Sequence, residues 1–237
     1  MKDFGRMTEI DHKAKGRIFH RDIQRIRDSH AYGIVLALIV VQFIFASVSS
    51  TAPWTATVII LLQGVTLAIA LATSARRDVR FGARAVLVIA VVVAVVQVEL
   101  HQGISVGAGV AFFSAVLNVS IAVVVAFGVA RQNEVNAASV CGAIGIYLLI
   151  GMLFVFLYAG VQAVAGTDFF AQGVSGTRPL FLYFSYVTLA TLGYGDYTPA
   201  AQVGRTLAVT EALLGQLYLV TIVAVLVSSF GLKRPRS

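Results

Sequence analysis

The chain has 237 residues, of which 58% are hydrophobic and only 12% are charged. A soluble domain carries roughly 25% charged residues, so this composition excludes an ordinary soluble protein and favours a membrane protein. The formal net charge is +7, and the single cysteine, Cys141, excludes a disulfide within the chain and a cysteine-rich metal site.

Apolar runs of about 20 residues recur along the chain, which is the length that crosses a hydrocarbon core about 30 Å thick. Six of these runs are predicted to be transmembrane helices. They are residues 31–50, 54–73, 83–100, 106–130, 139–163 and 204–230. The sequence therefore predicts an all-α membrane protein with six transmembrane helices.

The basic residues lie almost entirely on one side of this predicted arrangement. With six alternating spans, every Lys and Arg except Arg178 and Arg205 precedes the first span, follows the last, or lies at the second or fourth connection. Under the positive-inside rule both termini are cytoplasmic, and the protein crosses the inner (plasma) membrane several times. The positive charge thus reflects membrane topology, and no nucleic-acid partner is predicted.

Composition also divides the chain into segments. Residues 1–30 are a polar cytoplasmic segment, which is either an amphipathic helix attracted to anionic membrane lipid or a solvated tail. Residues 31–138 form a block of four helices, residues 139–231 form a second unit, and residues 232–237 are a short cytoplasmic tail.

The second unit contains a short helix and an irregular stretch between its two spans. Pro179 opens the apolar run 179–190, which fits a helix of about three turns that is too short to cross the bilayer. The glycine-containing stretch T-L-G-Y-G-D follows at residues 191–196. Non-helical backbone at membrane depth is tolerated only where it is buried in protein or lines a water-filled cavity. The pattern therefore predicts a re-entrant helix that enters from the outside and a strand that lines such a cavity.

Residues 191–196 resemble the T-V-G-Y-G-D signature of the potassium-channel pore. The resemblance to the bacterial ion-channel family with a two-helix pore covers about residues 139–230, and E-A-L-L-G-Q-L-Y-L-V at 211–220 is similar to the inner helix of that family. The resemblance implies that 139–231 is a pore domain and that the protein is a potassium-selective channel, not an enzyme. It further implies a homotetramer in membrane lipid, with K⁺ as the permeant ion and no cofactor.

The resemblance also assigns the residues of the predicted filter (residues 191–196). The Thr191 hydroxyl and four main-chain carbonyls are the expected K⁺ ligands. The carbonyls belong to Thr191, Leu192, Gly193 and Tyr194. Gly195 is expected to shape the outer mouth, and Asp196 to place negative charge at the external entrance. The Leu192 side chain and the Tyr194 ring are expected to face the surrounding protein.

Three residues of the short helix are expected to support the filter: Tyr186, Val187 and Thr188. Some bacterial channels of this family carry a Glu at the position of Val187, where it pairs with the filter Asp. Asp196 therefore needs another partner, and Tyr186 is the expected one. Ala190 stands where a Thr is frequent, which removes a hydroxyl beneath the filter.

Other residues leave alternatives open. Gly215 is either a gating hinge or a close-packing residue, and Glu211 either senses pH or makes a structural hydrogen bond behind the filter. Glu99 and His101, at the outer end of the third span, either sense external pH or are inert. Two tyrosines are expected to be anchors at the membrane interface: Tyr158 and Tyr183.

Six spans with a pore at the C-terminal end is also the layout of voltage-gated channels. Voltage sensors carry about 3–4 moving charges per subunit on an Arg-rich fourth span, whereas residues 106–130 contain no basic residue. We therefore expect membrane voltage barely to gate this channel. Two other functions stay open at this stage: a weakly selective cation channel with a relaxed filter, and a subunit of a K⁺ transporter.

Overall fold

A computed structural model describes residues 32–49, 52–73, 104–131 and 136–231 of the chain. These residues form six α-helices, numbered here in chain order. They are α1 (Tyr32–Val48), α2 (Pro53–Thr73), α3 (Ile104–Ala130), α4 (Ala137–Ala165), α5 (Arg178–Leu189) and α6 (Gln202–Gly231). The only β-pairing among the described residues is one isolated antiparallel bridge between Phe170 and Pro199, so this part of the chain is all-α, as predicted.

Four of these helices are long and apolar enough to cross a membrane. The segments concerned are Trp54–Ala72, Gly107–Ala130, Ala137–Ala165 and Gln202–Val225. They coincide closely with four of the predicted spans, which confirms a helical protein that crosses the membrane more than once. The helix α1 coincides with the first predicted span but is shorter. The third predicted span, 83–100, and residues 1–30 and 232–237 lie outside the described residues.

The first four helices pack around one apolar core. Ile39 of α1, Leu67 of α2, Leu117 of α3 and Leu149 of α4 are all buried in it. The helix α3 contacts both α2 and α4. Membrane helices are apolar on all sides, so close van der Waals packing and a few polar contacts, and not a hydrophobic face, set such an arrangement. The shared core attaches the N-terminal helices to the C-terminal unit through α4.

Local capping explains where α4 and α5 begin and end. The Asn136 side chain accepts a hydrogen bond from the Ser139 amide at 3.0 Å, and the Ser139 hydroxyl accepts one from the Asn136 amide, which forms a capping box at the start of α4. The helix ends at Gly166, whose φ of 65° is left-handed. Thr177 caps α5 and Pro179 stands in its first turn, as the sequence predicted. The resulting helix has 12 residues, too few to cross a bilayer.

An aromatic cluster fixes the loop between α4 and α5. Phe169 and Phe170 of the loop pack against each other and against Phe181 of α5, and Phe169 also packs against Tyr158 of α4, with ring centroids 5.1 to 5.6 Å apart. Two backbone hydrogen bonds also join this loop to residues 198–200, just before α6. The loop thereby fixes α4, α5 and the start of α6 relative to one another, and these three helices position the candidate site.

Candidate functional site

The backbone leaves α5 through hydrogen bonds to the last helical turn. Three main-chain amides donate to three main-chain carbonyls, with N–O distances of 3.0, 2.9 and 2.9 Å: Ala190 to Tyr186, Thr191 to Thr188, and Leu192 to Val187. The carbonyl groups of the three residues expected to support the filter therefore hold the first residues of the predicted filter in place.

The sign of the backbone φ angle alternates along the predicted filter. Thr191, Gly193 and Gly195 have positive φ angles of 55°, 60° and 76°, whereas the residues between them do not. This alternation allows successive carbonyl groups of an extended strand to lie on one side, because each change of hand reverses the turn of the peptide plane. Glycine adopts such angles freely, but a β-branched residue such as Thr191 adopts them only at a cost of about 1–3 kcal/mol. Local strain of this kind is concentrated at functional sites.

The two larger side chains of the predicted filter are only partly covered by their own chain. Leu192 is 56% exposed and Tyr194 is 65% exposed. The Tyr194 ring stacks on the Tyr183 ring of α5, with centroids 6.5 Å apart and planes inclined by 16°. The packing expected for Tyr194 against a neighbouring helix is thus present on one side of the ring, and this chain leaves the rest uncovered.

The partner of Asp196 is Tyr183, so the expectation that Tyr186 would fill this role was wrong. The Tyr183 hydroxyl donates to Asp196 Oδ2 at 2.7 Å, whereas the Tyr186 hydroxyl donates to the Leu148 carbonyl of α4 at 2.6 Å. Tyr186 lies three residues after Tyr183, so its side chain points about 60° away and lies about 4.5 Å further along the helix axis. The two tyrosines therefore meet different neighbours. The interpretation of Tyr183 as a membrane anchor stays a prediction, since its side chain is 39% exposed.

Tyr186 instead joins α5 to α4 at a glycine. A Cβ atom on Gly151 would lie 2.7 Å from Cζ of the Tyr186 ring, so this ring occupies space that only glycine leaves open. The ring also packs edge-on against Phe43 of α1, with centroids 4.9 Å apart. Tyr186 therefore supports the predicted filter by anchoring the helix that precedes it, and not through the Asp196 carboxylate.

Glu211 of α6 forms a buried hydrogen-bond network with α4 and α5. Its carboxylate is fully buried and accepts from the Tyr158 hydroxyl and from the Ser185 hydroxyl, both at 2.5 Å. The Ser185 hydroxyl also lies 2.8 Å from the Gly151 carbonyl. One of the two roles left open for Glu211, a structural hydrogen bond, is therefore present in the structure. The interpretation of Tyr158 as an interface anchor was wrong, because this side chain is fully buried.

Gly215 allows α6 to lie close to the end of α5. A Cβ atom at this position would lie 2.5 Å from the Leu189 carbonyl oxygen and 2.8 Å from Leu189 Cδ1. Only a glycine fits such an approach between two backbones. The close-packing role is therefore present in the structure, and it requires Gly215 whether or not the helix bends there.

The sequence reasoning missed Gln216, the next residue of α6. Its side-chain Nε2 donates to Oγ1 of Thr191 at 3.0 Å, so this α6 side chain is hydrogen-bonded to the predicted filter. A polar residue in an apolar helix, directly after a glycine, was the signal that could have identified it. The candidate pH sensors Glu99 and His101 lie outside the described residues.

The N-terminal end of α5 is attached to the N-terminal helices by Arg178. Its Nη1 atom donates to Oγ1 of Thr55 in α2 at 3.0 Å. Burial lowers the pKa of the guanidinium group, although arginine keeps its charge in proteins. This contact and the Tyr186 contact with α1 connect both ends of α5 to the helices that precede the C-terminal unit.

Comparison with known proteins gives the same assignment for the C-terminal unit. Residues 142–231 match the sequence model of a family described as "Ion channel". A segment of 80 residues is 34% identical to the "Probable potassium channel protein 2" of Methanocaldococcus jannaschii. The match covers 32% of this chain and 20% of that relative, so the chain spans about a fifth of the relative's length. No solved structure matches the chain.

The apolar helices define an integral membrane protein, and its C-terminal unit is similar to an ion-channel domain. Residues 142–231 resemble an ion-channel family, and part of the chain resembles a probable potassium channel. The resemblance stated from residues 191–196 is thereby confirmed at the level of the family.

Proposed function

We propose that this protein is a potassium-selective channel that conducts K⁺ passively across the inner (plasma) membrane. The observation that carries the proposal is the alternation of positive φ at Thr191, Gly193 and Gly195, in a segment that lies between two apolar helices. Such a backbone can present a column of oxygen atoms to one side. In potassium channels, rings of carbonyl oxygens replace the hydration shell of the ion.

The proposed ligands are all oxygen atoms of the predicted filter. They are the Thr191 hydroxyl and the carbonyls of Thr191, Leu192, Gly193 and Tyr194. The C-terminal end of α5, which immediately precedes them, carries the negative end of the helix dipole and favours a cation nearby. Gly195 then forms the outer mouth, and Asp196, held by Tyr183, supplies negative charge at the entrance. Ion passage through such a column requires neither a cofactor nor a chemical reaction.

A homotetramer is part of the proposal, because one strand cannot encircle an ion. Only 11% of the apolar window of α6 is buried within the chain, against 44–50% for the other candidate spans. Polar side chains on α6, including Gln216 and Thr210, are exposed in the single chain, where water or a neighbouring subunit would contact them. Closed cyclic symmetry is the usual way for identical chains to supply such partners, and potassium filters use four. A tetramer that places α6 and residues 191–196 around one axis meets these requirements.

The proposed topology places α5 at the outer side and both termini in the cytoplasm. The distribution of Lys and Arg supports this orientation through the positive-inside rule. In this arrangement residues 139–231 are the pore domain, with α4 as outer helix, α5 as re-entrant pore helix and α6 as inner helix. Residues 31–138 form the surrounding helical block, and the predicted third span completes six.

The function is tested by reconstituting the purified protein in liposomes and measuring the reversal potential in mixed K⁺ and Na⁺. We expect a strong preference for K⁺. Equal permeability would indicate the weakly selective cation channel instead, and flux that requires a co-transported ion would indicate a transporter subunit. In parallel, the mass of the gently solubilised, conducting particle is expected to be that of four chains, and a conducting monomer or dimer would contradict the assembly.

A matched pair of glycine variants tests the filter assignment. Gly193 and Gly173 have φ angles of 60° and 68°, and no heavy atom lies within 4 Å of a Cβ built on either. Alanine therefore introduces similar backbone strain at both positions, but only Gly193 lies in the predicted filter. Gly193→Ala is expected to abolish K⁺-selective conduction, whereas Gly173→Ala, in the loop before α5, is expected to retain it. Wild-type selectivity in Gly193→Ala would contradict the assignment.

A further inference from the structure

The side chain of Gln216, on α6, is hydrogen-bonded to Thr191, the first residue of the predicted filter. Its Nε2 lies 3.0 Å from Oγ1 of Thr191. Thr191 is also the only non-glycine residue with a positive φ angle among the described residues. A strained backbone and a hydrogen bond from another helix therefore converge on one hydroxyl group.

We propose that Gln216 is a positioning residue that sets the orientation of the Thr191 hydroxyl and thereby the affinity of the innermost ion site. This inference rests on the proposed function, since it concerns the ion site formed by that hydroxyl. It assigns a role in ion binding to a side chain that is not itself part of the filter.

The chemistry follows from the inventory of a hydroxyl group, which has one donor hydrogen and two acceptor lone pairs. A threonine hydroxyl without such a contact can rotate, so the direction of its lone pairs is not fixed before an ion arrives. Once one lone pair accepts the Gln216 N–H, the remaining positions of the oxygen are restricted. The second lone pair is then available to the ion, and the hydrogen is directed elsewhere. Preorganised ligands bind an ion more tightly because little reorganisation is needed on binding.

The rest of α6 is held so that Gln216 stays at this distance. Five residues before it, Glu211 is hydrogen-bonded to Tyr158 and Ser185. Two residues after it, the Tyr218 hydroxyl donates to the Ala143 carbonyl of α4 at 2.6 Å. Gly215, the preceding residue, brings the backbone of α6 against the end of α5. The position of the amide is therefore fixed from both directions along the helix.

The contact between Gln216 and Thr191 is also expected to affect which ions the innermost site prefers. A ring of four fixed hydroxyl oxygens favours an ion of one radius, whereas rotating hydroxyls adjust to ions of different size. Loss of the Gln216 amide is therefore expected to weaken the binding of K⁺-sized ions more than that of Na⁺. Ba²⁺, which has nearly the radius of K⁺ and twice its charge, is a suitable probe for the innermost site when it is applied from the cytoplasmic side.

The experiment compares Ba²⁺ block of K⁺ current in the reconstituted full-length tetramer. Gln216→Leu, which is similar in size and has no donor, is expected to weaken the block by about fivefold or more, the change that corresponds to one net hydrogen bond of about 1 kcal/mol. Thr221→Val is the matched control, since its hydroxyl bonds only the Leu217 carbonyl of its own helix. This control is expected to leave the block unchanged.

A double-mutant cycle separates positioning from general structural damage. In a Thr191→Val background the hydroxyl is absent, so Gln216→Leu is expected to have no further effect on Ba²⁺ affinity. Should the conduction of these variants be too low to record, the Ba²⁺-dependent rise in the dissociation temperature of the solubilised tetramers gives the same comparison without current. Additive effects of the two substitutions, or unchanged Ba²⁺ affinity in Gln216→Leu, would overturn the proposal while the channel function stands. A wild-type protein that neither conducts K⁺ nor binds Ba²⁺ would overturn both.

Discussion

The buried network around Glu211 permits a quantitative prediction about the stability of the C-terminal unit. Glu211→Leu removes both acceptor oxygens. The Ser185 hydroxyl keeps an alternative acceptor in the Gly151 carbonyl at 2.8 Å, but the fully buried Tyr158 hydroxyl loses the acceptor it had. One unsatisfied buried donor costs about 1–3 kcal/mol. The loss is expected in every subunit.

The isosteric variant Glu211→Gln keeps one acceptor oxygen, and the Tyr158 hydroxyl can accept from its amide. It is therefore expected to lose only about 0.5–1.5 kcal/mol per subunit, the net contribution of an ordinary hydrogen bond. The sharper expectation concerns the double variant Glu211→Leu/Tyr158→Phe. It contains no orphaned hydroxyl at this position, and replacing both partners of a buried polar pair by apolar groups can be nearly neutral. Most of the lost stability should return.

The measurement is the temperature at which the proposed tetramer dissociates in detergent, with K⁺ flux of the same preparations recorded in liposomes. Ser228→Ala, an exposed residue of the same helix, serves as the control and is expected to have no effect. The order of stability should be wild type, Glu211→Gln, and then Glu211→Leu, with the double variant above Glu211→Leu. If the double variant is less stable than Glu211→Leu alone, the energy does not lie in the Tyr158 hydroxyl and the reasoning is refuted.

The remaining predictions concern the outer mouth, the α5–α6 contact and voltage. Tyr183→Phe removes the donor to Asp196 and is expected to accelerate the decay of K⁺ current at low external K⁺. Tyr186→Phe, whose hydroxyl bonds the Leu148 carbonyl instead, should not do so. Equal decay in both variants would contradict the assigned partner. Gly215→Ala places a Cβ atom 2.5 Å from the Leu189 carbonyl oxygen and should lower tetramer stability by about 1–3 kcal/mol per subunit. Gly109→Ala, where a Cβ atom has open space, should not. Equal dissociation temperatures of the two variants would contradict the close-packing role. Because α3 carries no basic residue, the conductance–voltage curve in symmetric K⁺ should be nearly flat, and a slope equivalent to several gating charges would defeat the expectation.

The sequence by itself determined the helical membrane class and the order of the elements. Predicted and observed helices agree closely, as for 54–73 with Pro53–Thr73 and 179–190 with Arg178–Leu189. The physical reason is that these features are local. A hydrophobic run must match the thickness of the bilayer, and a proline or a capping threonine fixes the start of a helix within one turn. The six-residue signature likewise pointed to the ion-channel family that residues 142–231 match, without any knowledge of the packing.

Only the tertiary structure decided which side chains meet across helices. Tyr183 and not Tyr186 reaches Asp196, Tyr158 is buried on Glu211 instead of lying at the interface, and Gln216 contacts Thr191. In a soluble protein, a polar face reveals how a helix is rotated, whereas these helices are apolar on all sides. Their rotation is set by where small residues such as Gly151 and Gly215 admit a neighbouring ring or carbonyl. Those contacts join positions tens of residues apart, and no local pattern in the sequence encodes them.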